Sequence, residues 1–311
     1  MIDRDPRSRL GQDHHSGASE LVGLAALAAK AALEERGPAT ESLIPALRRI
    51  CRAQPAMGSV LRLASRILEV ATSAEHAGTD PDRAVSEIQL AIGAFLADFD
   101  VATEAIVERG AELVPSSGWV ATYSRSSLVE RVLLATAARR RPLFVLLTES
   151  RPQLEGRELA RKLAGAGVPC WLTVDAAGGL LLPQARAMLL GADAVLPKTF
   201  VNKAGTYALL LAARELNVPA YALAQRAKFV SSGAKLLELG ERDPSPVWEE
   251  APAGVSVRNL AFEESPLSLL RGVVVEDGVL PPGEAGIVAS QASVHEALSK
   301  PWGSLPGESI G

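Results

Sequence analysis

Four short polar clusters, each following an apolar run, hold residue types that can bind an anion or move a proton. The first is TYSRSS, residues 122–127. Backbone N–H groups at a helix start, joined by Ser124, Arg125 and Ser126, can cradle a phosphate, because the first turn carries unpaired donors and the positive end of the helix dipole. The same residues equally suit an ordinary N-cap by Ser124 or Ser126. The second cluster is TESRPQLEGR, residues 148–157, where Arg151 suits bidentate contact with a phosphate or hydroxyl, or a structural pair with Glu149. Glu155 of the same stretch is a further candidate ligand contact.

The third cluster, GADAVLPKTFVNKAGTY (residues 191–207), is the most informative. Asp193 ends a short apolar segment, where a carboxylate can act as a general base on a sugar carbon or hold ribose hydroxyls. Asn202 and Lys203 precede a glycine that opens a helix, so they can hold phosphate at the helix start. The plain alternative has Asp193 capping or salt-bridging and Lys203 facing solvent. The fourth cluster, AQRAKF at residues 224–229, brings Lys228 toward the same mouth.

Other chemistries lack their residues. His14, His15, His76 and His295 fall away from these strand ends, and neither a GxSxG elbow nor a GxxxxGK[ST] loop occurs. Cys51 and Cys170 are the only cysteines, too few for a disulfide framework and without zinc-ligand spacing, which suits a reducing compartment. No metal or organic cofactor is called for. The net charge of -4 supplies no positive field for nucleic acid, and Arg139, Arg140 and Arg141 read as the solvated end of a helix. No stretch reaches 18 uninterrupted apolar residues and the start carries no apolar leader, so a cytoplasmic protein without membrane segments is expected.

The clusters need a frame. Residues 1–15 are polar and expected to be loosely ordered, whereas residues 16–114 are Ala/Leu-rich and predict helices near 17–33, 40–51, 56–76 and 81–110, with breaks at Pro55, at 78–81 and at Gly110. From about residue 115 to 311 short apolar runs alternate with helical stretches. WVATYS, PLFVLLTES, PCWLTVDA, ADAVLP and PAYALAQ read as strands; LVERVLLATAARR, GRELARKLAGAG, LLPQARAML and AGTYALLLAARELN read as helices. That alternation predicts βαβ units and a parallel sheet covered on both faces, with its working loops at the strand C-termini. The polar insert GERDPSPVWEEAPAG reads as a surface loop before a last strand in RGVVVEDGVL.

Taken in order, SGASEL, QPAM, TYSRSS, TESRPQLEGREL, GVPCWLTVDAA, GADAVL, VNKAGTYALLLAARELNVPAYALAQRAKF and NLAFEESPLSLLRGVVVEDGVL resemble the family that unites the alpha, beta and delta subunits of translation initiation factor 2B with methylthioribose-1-phosphate and ribose-1,5-bisphosphate isomerases. The resemblance spans about residues 16–285. It implies an α/β protein in which an N-terminal helical domain precedes a Rossmann-like, doubly wound, mostly parallel sheet domain. It also implies a homodimer or an oligomer of dimers, and a phosphorylated sugar or nucleotide bound between the domains by residues that include Ser16, Gly17, Ala18 and Gln54.

In the isomerases a cysteine after the first strand and the aspartate of the GAD motif move protons during aldose-to-ketose conversion. Here the aspartate is Asp193, but Ser124 stands at the cysteine position. A hydroxyl is far less acidic than a thiol, whose unperturbed pKa is about 8.5. Ser16 and Gln54 likewise stand where isomerases carry arginines. These departures favour a regulatory homologue that binds a phosphorylated ligand; the alternative is an isomerase of phosphorylated pentoses with Asp193 as base and another group in place of the thiol.

Overall fold

The computed structural model of the protein describes residues 5–12, 17–139, 142–231 and 239–299. The N-terminal part is helical: α1 (Pro6–Gln12), α2 (Ala18–Arg36), α3 (Thr40–Ala53), α4 (Gly58–His76) and α5 (Pro81–Leu113). The small side chains of α2 let it sit deep among its neighbours, and Leu21, Val22, Ala25, Ala26, Ala28, Ala29, Ala32 and Leu33 are all buried. Asp80 caps α5 by accepting from the backbone N–H groups of Asp82 and Arg83, with Pro81 at the first helical position.

Two expectations fail here. Pro6–Gln12 lies in the stretch expected to be loose, yet it forms a helix because Leu10 is fully buried and its carbonyl accepts a 2.7 Å bond from Gln54 Nε2. Gly110 does not end α5, which runs on to Leu113. Its missing side chain serves packing instead, since a Cβ there would lie 2.6 Å from Val132 Cγ2.

The second part alternates strands and helices: β1 (Trp119–Thr122), α6 (Ser127–Ala138), β2 (Phe144–Thr148), α7 (Glu155–Gly165), β3 (Cys170–Thr173), α8 (Gly178–Leu181), β4 (Ala185–Gly191), β5 (Ala194–Val195), β6 (Thr199–Lys203), α9 (Thr206–Glu215), β7 (Ala220–Leu223), β8 (Phe262–Pro266), β9 (Gly272–Val275), β10 (Gly278–Leu280), α10 (Pro282–Gln291) and α11 (Glu296–Ser299). Seven strands form one sheet in the order β10-β9-β7-β4-β1-β2-β3, parallel except for the β9–β10 hairpin. The chain winds outward from β1 through β2 to β3, then returns to the other side of β1 through β4. That reversal places a crevice beyond the carboxyl ends of β1 and β4, the position where open α/β sheets take ligands.

LLPQARAML departs from the helix expected of it, while ADAVLP holds a strand as expected but outside the parallel sheet. The central strand is β4, whose residues from Ala187 to Gly191 are all buried, as a parallel strand covered on both faces requires. ADAVLP instead supplies β5 of a separate antiparallel sheet, β5-β6-β8, in which Val201 pairs with Ala194 and with Glu264. After α10 the chain crosses to the helical part, where Leu298 is buried and Arg48 donates to the Ala297 carbonyl at 2.7 and 3.0 Å. Among the described residues no helix is long and apolar enough to cross a membrane, and no group of three or more His, Cys, Asp or Glu could hold a metal ion.

Candidate functional site

The crevice is built first by close backbone approach. Ser126 caps α6, its Oγ accepting from Val129 N, so the other first-turn N–H groups of that helix have no intrahelical partner. Two glycines let other elements reach this helix end. A Cβ on Gly191, at the end of β4, would lie 2.6 Å from both Cβ and Oγ of Ser126, and a Cβ on Gly17, before α2, would lie 2.9 Å from Ser127 Cβ. Ser124 adopts the left-handed region (φ 61°), and its N–H donates to Ser150 Oγ at 3.0 Å. Of the two candidate caps, Ser126 therefore fills the role.

The loop after β2 is organised by Asp175, whose carboxylate accepts from Ser150 N at 2.8 Å, Arg151 N at 2.7 Å and Thr148 Oγ1 at 2.5 Å. Glu149 pairs with Arg157, not with Arg151, whose side chain points into solvent. One turn on, Glu155 Oε1 accepts from Lys203 Nζ at 2.8 Å, and Gln153 Oε1 accepts from the same ammonium at 2.9 Å. Lys203 is thus buried and paired, contrary to the solvent-facing alternative. Glu155 Oε2 is buried and has no hydrogen-bond partner among the described residues.

Asp193 is fixed through its backbone: its N–H donates to the Val201 carbonyl at 2.8 Å and its own carbonyl accepts from Gly58 N, at the start of α4, at 2.9 Å. Burial pushes its carboxyl up to about 6, against the opposing pull of Lys228, Arg242 and Lys203. Lys228 Nζ donates to the Ala192 carbonyl at 2.7 Å, and burial brings its ammonium down to about 8 despite Asp193. The site therefore sets an acid and a base whose titrations are drawn toward neutrality.

The start of α9 is already occupied. Glu263 accepts from the backbone N–H groups of Gly205 at 3.1 Å and Tyr207 at 2.6 Å, while Asn202 Nδ2 donates to Thr206 Oγ1 at 2.9 Å. A phosphate held at that helix start by Asn202 and Lys203 is thereby corrected: a protein carboxylate fills the place.

Gly17, Ala18, Ser124, Arg125, Ser126, Glu155, Asp193, Asn202, Lys203 and Lys228 all line one cleft between the helical part and the sheet. Arg125 reaches it with its guanidinium held by Glu130 at 3.0 Å and Glu158 at 3.5 Å. Two sequence candidates are elsewhere, and a third is outside the described residues. Gln54 is buried with its amide donating to the Leu10 carbonyl, Arg151 is exposed, and neither lines the cleft; Ser16 lies outside the described residues. The wall also contains Met57, Ser127, Arg242, Ala261 and Phe262, which sequence reasoning missed. Ser127 belongs to the TYSRSS cluster and Met57 to QPAM, so both were in reach. Arg242 sits in the polar insert, whose composition signals only a loop. Neither Cys51 nor Cys170 lines the cleft.

Comparison with known proteins places these features in a lineage. The sequence model of the Initiation factor 2 subunit family matches residues 13–282. A translation initiation factor eIF-2B subunit 2-like protein of Pyrococcus abyssi is 34% identical over 272 residues, covering 86% of this chain and 91% of that protein. A 5-deoxyribose 1-phosphate isomerase of Moorella thermoacetica is 30% identical, covering 86% of this chain and 77% of that enzyme. Among solved structures, the translation initiation factor eIF-2B of Pyrococcus horikoshii OT3 superposes with a TM-score of 0.76 at 28% identity, covering 89% of this chain and 96% of the other.

Proposed function

The chain belongs to the Initiation factor 2 subunit family, and from that membership we propose that it is a regulatory, initiation factor 2B-like homologue whose cleft binds a phosphorylated sugar or nucleotide. The observation that carries this reading is the joint placement of Ser124, Asp193 and Lys228 in one cleft whose described wall contains no thiol. The α6 first turn and the cleft cations suit a phosphate, and the buried Glu155 Oε2, without a hydrogen-bond partner among the described residues, suits a ligand hydroxyl. Ser124 supplies a hydroxyl where proton transfer by the isomerase route needs a thiolate. In this reading the protein is a cytoplasmic homodimer or oligomer of dimers, and its partner is a small molecule.

One observation favours the isomerase alternative. Asp193 and Lys228 titrate near 6 and 8, which suits proton transfer to and from a bound aldose. Incubation with ribose 1,5-bisphosphate, methylthioribose 1-phosphate and deoxyribose phosphates separates the two. Binding without conversion supports the regulatory reading, whereas turnover that disappears in Asp193→Asn replaces it with the isomerase.

A further inference from the structure

Arg242 lies in the insert between β7 and β8, and its position there is firmly set. Glu241 and Leu260 form an antiparallel bridge, Arg242 N donates to the Asn259 carbonyl at 3.0 Å, and Asn259 Nδ2 returns a 2.6 Å bond to the Asp243 carbonyl. The neck of the insert is thus clamped on both sides of Arg242, and the side chain is delivered to the cleft wall. Its guanidinium carbon sits over the Phe262 ring, 5.0 Å from the centroid and within cation–π range.

Each of the other cleft cations already has a protein partner. Arg125 is held by Glu130 and Glu158, Lys203 by Glu155 and Gln153, and Lys228 by the Ala192 carbonyl. Arg242 differs: among the described residues its partly buried guanidinium makes no hydrogen bond or ion pair. A planar fork of five N–H donors, drawn from water and left unpaired, is costly unless an anion completes it. Its geometry matches two oxygens of a phosphate, whereas a lysine would offer only a point charge.

We propose that Arg242 is the anion anchor of the cleft, its guanidinium stacked on Phe262 and binding the phosphate of a phosphomonoester. The assignment rests on the reading above that the cleft takes a phosphorylated small molecule. It makes the insert part of the binding machinery and locates the phosphate end of the ligand beside Phe262, with the remainder directed toward Glu155 and Lys203.

Titration calorimetry with inorganic phosphate, ribose 5-phosphate and ribose tests it on four full-length proteins: wild type, Arg242→Ala, Arg242→Lys and, as a charge-matched control on the exposed side of α9, Arg214→Ala. Loss of a bidentate charged contact should weaken both phosphate compounds at least about tenfold in Arg242→Ala, with Arg242→Lys between it and wild type. Ribose binding and the Arg214→Ala affinities should stay at wild-type values. Wild-type affinity in Arg242→Ala, or an equal loss in Arg214→Ala, overturns the anchor while leaving the cleft reading standing. Failure of the wild type to bind either phosphate compound removes the cleft reading, and the anchor with it.

Discussion

Lys203 Nζ lies 2.8 Å from Glu155 Oε1, with side-chain exposures of only 6% and 16%. A strand end and a helix start, 48 residues apart in sequence, thus meet through an ion pair largely removed from water.

Removing one member of such a pair leaves the other charge buried alone. Glu155→Ala, which strands the Lys203 ammonium, and Lys203→Met, which strands the Glu155 carboxylate, should each therefore cost about 2–4 kcal/mol in urea unfolding, and the double variant less than their sum. Equal stabilities for Glu155→Ala and wild type would show that water reaches Lys203 freely.

The cleft should take up protons when an anion binds. In the folded protein Asp193 titrates near 6, so its favourable contribution to stability exists at low pH and is lost as pH rises through that value. Lys228, lowered to about 8, contributes at high pH and loses that contribution as pH falls through 8. A nearby anion disfavours the carboxylate and favours the ammonium, moving both upward. Sulfate, which does not titrate in this range, should bind at pH 7 with net proton uptake and weaken as pH rises past 8. Calorimetry in buffers of different ionisation enthalpy reads the sign directly, and proton release would contradict the account.

Gly191→Ala places a Cβ 2.6 Å from Ser126 Cβ and Oγ. The end of β4 and the start of α6 must then separate, at an expected cost of about 1–3 kcal/mol. Because that helix start faces the cleft, phosphate affinity should fall further than stability alone explains. A variant destabilised but with unchanged affinity would place the binding surface elsewhere.

Leu10→Ala tests whether the first helix is part of the core. Leu10 is fully buried, so truncation should cost about 2–4 kcal/mol. A loss below about 0.5 kcal/mol would fit an exposed surface position instead.

The sequence patterns that carried furthest were the ones with strong local physics. Ala/Leu-rich helices with clear breaks, and apolar runs of four or five residues ended by polar clusters, located α2 to α7, β1, β2 and β3 within a few residues. The failures have physical causes. ARAMLLG is an apolar run that reads as helix or strand alike, and only its burial between β1 and β7 decides for strand. FEESP looks polar because β8 carries Glu263 on a face that caps α9. Arg242 was invisible because its role depends on a tertiary clamp at Asn259, 17 residues away. Arg151 shows the converse: a residue type suited to phosphate, attached to a backbone whose N–H was already committed to Asp175.

Thermal denaturation of the wild-type protein against a panel of sugar phosphates, nucleotides and their unphosphorylated parents tests the central claim most directly. A ligand at 100 times its dissociation constant adds about 2.7 kcal/mol, enough to raise the melting temperature by several degrees in a chain of this size. At least one phosphorylated compound should give that rise while its unphosphorylated parent does not, and the rise should shrink in Lys228→Met. Melting temperatures unmoved by every phosphorylated compound at millimolar concentration would contradict it.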